Sequence, residues 1–168
     1  MRPHRERLAC SRGQAAVELA LVAPILLALF IGIIEFGRAF ETVQALSGLS
    51  REGANLAGRG TPLDEAVAVT ITNGQEIELG TRGGVIASRI SRGTNGMIID
   101  DQIASNGYTA RSRYGAEGGP ASGLVASDFT SGQQVYVVEV FYTFSTVTPF
   151  AAVTRAVLPE ELYERTVF

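Results

Sequence analysis

The chain has 168 residues, 46% of them hydrophobic, and a formal net charge of −3 that hides a split. Residues 1–13 hold four arginines and one glutamate, whereas the rest holds ten arginines and sixteen acids, a net of −6. An acidic body excludes the clustered basic face that nucleic acid needs, so no nucleic-acid partner is expected. With some 35 residues given to a basic head and an apolar run, about 130 remain, enough for one small domain with its own core.

The only cysteine, Cys10, and the only histidine, His4, both lie in the head. The body is therefore held without a disulfide, and it lacks both the commonest general base and the commonest thiol nucleophile. Arg7-Leu8-Ala9-Cys10 superficially resembles a lipidation box, but such a box follows an apolar segment and this one precedes it.

From Leu19 to Ile34 no residue is charged, and read back to Ala15 the apolar run is interrupted only by Glu18. That is about the 20 residues a helix needs to cross a bilayer. Pro24 falls inside it, and a lipid-embedded helix tolerates a proline better than a soluble one. No small-residue cleavage site follows Ile34, so a removed secretory signal is the weaker reading. The arginine flank stays cytoplasmic by the positive-inside rule, which places the body across the membrane.

The helical pattern continues beyond the run. Phe36, Phe40, Val43, Leu46, Leu49, Ala54 and Leu56 recur at spacings of three and four among charged residues, an amphipathic stripe that Gly58-Arg59-Gly60 ends. Together these stretches predict one helix of about 45 residues, half in lipid and half against a soluble domain. A second helix is predicted over 62–71, with Thr61 as cap, Pro62 at the first position and Asp64 and Glu65 at the positive end of the dipole. The β-branched run Val69-Thr70-Ile71-Thr72 could equally enter a strand.

Beyond Gly83 the signals turn to strand. Val85 to Ile90 and Met97 to Ile103 flank Asn95-Gly96, a hairpin signature. Residues 105–133 are rich in glycine and serine and read as a long loop, with a short strand at Tyr108 to Arg111; a loop of this length is functional or mobile. The clearest strand is Gln134 to Val147. Tyr136, Val138, Val140, Tyr142 and Phe144 share one face, and Val135, Val137 and Phe141 share the other with Glu139, which predicts a central strand covered by a helix. Leu158 to Tyr163 reads as a helical turn started after Pro159. The fold class expected is α+β, a long N-terminal transmembrane and amphipathic helix followed by a small antiparallel-sheet domain. Its segments are 1–13, a basic leader; 14–37, a transmembrane helix; 38–60, an amphipathic extension; and 61–168, a soluble extracytoplasmic domain.

Glu18 is out of place in this scheme, a carboxylate just inside an apolar span. Gly13 followed by Gln14-Ala15-Ala16-Val17-Glu18 and a long apolar helix resembles the class III signal of type IV pilins and pseudopilins. In that family a prepilin peptidase cuts after the glycine and leaves the glutamate fifth in the mature chain. The resemblance therefore places the cut between Gly13 and Gln14, and it implies that the new α-amine of one subunit neutralises Glu18 of its neighbour. A lone buried charge is costly, whereas a paired one sets register. The plainer alternative has Glu18 at headgroup depth in an ordinary anchor.

Residues 12–27, closing with Ile33-Ile34-Glu35-Phe36-Gly37-Arg38, are similar to TadE-like proteins of the bacterial tight-adherence (Flp) pilus system, and Ser50-Arg51-Glu52-Gly53-Ala54 resembles their helix extension. That resemblance implies a minor pseudopilin in the inner membrane, partnered by prepilin peptidase, other pilin or pseudopilin subunits, pilus assembly proteins and membrane lipid. Leu19 stands where the system's major pilins carry tyrosine, and those pilins are far shorter.

Catalysis is not expected, and neither is a cofactor or a metal. Asp100 and Asp101 are adjacent on a predicted strand and so point to opposite faces. Gly80-Thr81-Arg82-Gly83-Gly84 lacks the spacing of a phosphate loop. The rival reading is an unprocessed single-pass module that offers loop 105–133 to another envelope component.

Overall fold

The computed structural model describes residues 4–94, 96–147 and 159–168. Contacts divide the chain into two compact units, Met1–Arg38 with Thr146–Val157, and Ala39–Ser145 with Leu158–Phe168. Helix α1, His4–Gly58, supplies residues to both.

In the first unit α1 is an apolar rod. Val17, Leu19, Leu21, Ile25, Leu27, Phe30 and Ile33 are all exposed on it. Gly13–Gly58 is long and apolar enough to cross a membrane. Helix persists through Pro24, which cannot donate to the carbonyl one turn before it. The helix also starts earlier than the apolar run suggests, at His4, and so runs through the expected cut site.

The second unit is α+β. From Ala39 onward α1 buries Ala39, Leu46, Leu49, Ala54 and Ala57 against helix α2, Leu63–Asn73, and a four-stranded sheet. The predicted stripe is thereby corrected at its start. Phe36 and Phe40 are exposed, and the buried line begins at Ala39 because that residue, Leu46 and Leu49 share the sheet-facing side at helical spacing. Gly53 lies where α1 meets α2 and the sheet. A Cβ there would come within 2.6 Å of Thr70 Oγ1 and 3.2 Å of a Val138 methyl, so the glycine is what permits the close approach.

Helix α2 runs through the ambiguous β-branched run because Thr70 and Thr72 donate their hydroxyls to the carbonyls of Ala66 and Ala68 and settle into the helix. Thr61 does not cap it. The cap residue is Pro62, with no side-chain cap bond, and its carbonyl accepts from Ala66 N–H. A short helix α3, Leu79–Arg82, follows Glu78, whose φ of 58° lies in the left-handed region.

The sheet is antiparallel throughout, in the order β2-β1-β3-β4: β1 is Gly83–Gly93, β2 Gly96–Ala104, β3 Gln134–Thr143 and β4 Glu161–Val167. The β1–β2 hairpin closes with Gly93 opposite Gly96; Asn95 lies outside the described residues. Strand β3 is internal and ends at Thr143, four residues short of the predicted Val147. Its two faces divide as predicted, with Val138, Val140, Tyr142 and Phe144 toward the helices and Val135 and Val137 in a second cluster.

Two further expectations fail. Tyr108–Arg111 is a 3-10 turn, not a strand, because Asn106 and Gly107 adopt positive φ and swing the chain back so that the Tyr108 ring covers Gly84. The tail is strand β4 and not a helical turn: Pro159 and the two glutamates suggest a helix start, but β3 offers an open edge and Leu162 packs into the core on pairing with it. Leu158 lies outside the described residues. The long loop is packed, not free. Ala121, Leu124, Ala126 and Phe129 cover Ile90, Met97, Ile99, Val135 and Val137, and residues 118–121 exchange backbone bonds with the outer edge of β2.

Candidate functional site

Gly13, Gln14 and Glu18 lie on one continuous helix. A Cβ at Gly13 would meet nothing within 4 Å beyond its chain neighbours and the helix's own backbone. Gln14 and Glu18 are four residues apart, which stacks them on one face. Their side chains meet there, Gln14 Nε2 donating to Glu18 Oε1 at 3.1 Å. Both are exposed, and the side chains that follow, Leu19 to Ile34, are apolar. The carboxylate is therefore served, within its own chain, by an uncharged donor.

The far end of the apolar run carries a second carboxylate that composition does not flag. Glu35 is fully buried. It accepts the backbone N–H of Val147 at 3.0 Å and pairs with Arg38 one turn on, at 3.5 Å. The available signal is an acid at the first position after sixteen uncharged residues, with an arginine at i+3.

A third carboxylate, Glu139, lies at the centre of the sheet with no exposure. Its Oε2 accepts from Ser112 Oγ at 2.5 Å, and its Oε1 accepts from the Arg113 N–H at 2.9 Å and the Tyr163 hydroxyl at 2.8 Å. Three donors from a loop and an edge strand thus converge on one acid, as a buried charge requires. Burial and the bond to Glu139 push the Tyr163 phenol well above its usual range. Burial raises Tyr114 too, against the opposing field of Arg165. The Arg113 guanidinium lies 3.7 Å from the Tyr163 ring centre. Glu139 is a strut for the loop, with its oxygens taken. Only its position on an otherwise apolar strand face hints at this in the sequence.

The remaining polar candidates diverge. Asp100 accepts from Ser91 Oγ at 2.9 Å, while Asp101 faces Arg89 at 3.6 Å across the hairpin. Among the described residues no three His, Cys, Asp or Glu side chains group as metal ligands. Gly80 and Thr81 sit in α3, the Gly80 carbonyl is taken by Asn106 Nδ2, and Gly83-Gly84 open β1, so this glycine-rich stretch forms an element junction.

Set beside known families, residues 13–55 match the model described as TadE-like protein. Over these residues the chain is similar to TadE-like proteins. No curated protein matches the chain, and no solved structure does. The TadE-like segment begins at Gly13, spans the whole apolar run and continues into the stripe that packs on the sheet.

Proposed function

We propose that this chain is a minor pseudopilin, anchored in the bacterial inner membrane, that serves the assembly or secretion step of a tight-adherence (Flp) pilus system and carries out no catalysis. One observation carries the reading: the TadE-like match starts at the glycine of Gly13-Gln14-Ala15-Ala16-Val17-Glu18 and runs along the one described helix long and apolar enough to cross a membrane. The arginine head stays in the cytoplasm, and the sheet domain lies on the other side. Prepilin peptidase cuts between Gly13 and Gln14, and glycine suits such a cut because it adds no side chain to the cleft. The amine so created on one subunit faces Glu18 of the next. In an apolar surrounding that pairing is worth far more than in water, so it sets the axial offset between subunits. Other pilin-like subunits, the peptidase and membrane lipid are the partners.

Mass spectrometry of the mature N-terminus in the native host tests this, with a chain that begins at Gln14 expected. A chain that keeps its arginine head in cells with active peptidase overturns the processing step and leaves an unprocessed anchor as the reading. Glu18→Ala sharpens it: membrane insertion persists and assembly is lost.

A further inference from the structure

Cleavage after Gly13 would place a glutamine at the new N-terminus, and an N-terminal glutamine carries a reaction within itself. Its unprotonated α-amine can attack its own side-chain Cδ. The N–Cδ bond forms, the Cδ–Nε2 bond breaks, one proton passes from the attacking to the departing nitrogen, and ammonia leaves. The product is a five-membered lactam, and the positive charge is gone. No oxidant, reductant or second reactant is needed. For a segment whose proposed register depends on that charge, the reaction would remove one member of the pair.

We propose that the Gln14–Glu18 hydrogen bond guards the new terminus against this cyclisation. The guard rests on the processing reading above and on one contact. Gln14 Nε2 donates to Glu18 Oε1, one helical turn toward the C-terminus, at 3.1 Å. The residue's own backbone nitrogen lies on the N-terminal side of its Cα, and Glu18 lies one turn toward the other end of the helix. Lactam formation needs Cδ folded back onto that nitrogen, and the bond to Glu18 draws the amide nitrogen the other way. Glu18 Oε2 remains to accept an ammonium from a neighbouring subunit, because a carboxylate has acceptor sites on both oxygens. Gln14 is thus a modification site held unreacted, and Glu18 has a positioning role before it has an assembly role. The guard costs the chain little, since i, i+4 pairs of this kind form readily on helices.

The experiment has two arms. In the first, mature protein freshly isolated from the native host is mapped at its N-terminal peptide. An uncyclised Gln14 is expected. A peptide lighter by one ammonia overturns the guard, and a chain still carrying residues before Gln14 overturns the guard together with the processing reading. In the second arm, residues 10–13 of the full-length chain are replaced by the factor Xa site Ile-Glu-Gly-Arg, and Gln14 is released in detergent micelles without the host peptidase. Ammonia loss is then followed by mass. Glu18→Ala should cyclise about two-fold faster than the chain with Glu18, the factor that one exposed i, i+4 pair carries. Glu18→Gln keeps an acceptor carbonyl but no charge, and should stay near the slower rate. Equal rates for Glu18→Ala and the unsubstituted chain overturn the proposal. So does Glu18→Gln cyclising as fast as Glu18→Ala, because the guard would then be the charge and not the bond.

Discussion

The two halves of α1 share one helix and almost nothing else. Between Val17 and Ile34 the large apolar side chains are exposed on every side, with no face singled out. From Ala39 to Ala57 one side is buried, and Glu41, Gln44, Arg51, Glu52 and Asn55 lie among the residues outside it. The same backbone hydrogen bonds hold both halves, so the difference lies in what each was selected to meet. A helix apolar all round needs an apolar surrounding, and a helix apolar on one line needs a partner with one matching face. The carboxylates repeat the lesson. Glu18 is exposed and takes a donor from its own helix, whereas Glu139 is buried and takes three donors from two other elements.

The largest effect should separate the halves directly. Leu46→Ala deletes a fully buried side chain and should destabilise the sheet domain by about 2–5 kcal/mol in denaturant unfolding of the detergent-solubilised chain. Leu27→Ala removes an exposed side chain from the first half and should leave that midpoint unchanged. Equal losses would mean that the first half also packs on the domain.

Glu139→Ala tests the carboxylate contrast. It strands the Ser112 hydroxyl, the Arg113 N–H and the Tyr163 hydroxyl, and should cost about 3 kcal/mol by the same measurement, with early proteolysis within 105–133 as the loop lifts. Glu18→Ala should leave domain unfolding untouched. Gly53→Ala comes next. A Cβ placed 2.6 Å from Thr70 Oγ1 should cost about 1–3 kcal/mol, whereas alanine at Gly32, where nothing lies within 4 Å, should not register in domain stability.

The smallest effect is a pH dependence. Tyr163 has a folded-state pKa raised above its unfolded value of 10.0. Its contribution is therefore complete below pH 10 and is lost as pH rises from there toward the folded pKa, because the unfolded chain releases the proton first. Domain stability should fall across that alkaline window, and Tyr163→Phe should flatten the slope relative to the unsubstituted chain. An unchanged slope would show that burial and the bond to Glu139 do not hold the phenol neutral.

Much of this was readable from local signals. The apolar run, the helix continuing beyond it, the β1–β2 hairpin and the two-faced strand β3 each follow from short-range signals, which are a property of neighbouring residues. The failures have a common cause. Tyr108–Arg111 and the tail were misread because each takes its shape from something distant, a backbone reversal at Asn106-Gly107 in one case and the open edge of β3 in the other. Pro159-Glu160-Glu161 is a sound helix-start signal, yet seven residues of pairing with β3 outweigh it.

The sequence by itself determined the long helix, its apolar first half and the placement of Gly13, Gln14 and Glu18 within a TadE-like segment, because all of these depend on residues within a turn or two of one another. Tertiary structure alone decided that Gly53 is a contact point, that loop 105–133 is the cover of the second sheet face, and that Glu139 ties that cover down. Those facts depend on groups as distant in the chain as Gly53 and Val138, which no local pattern can register.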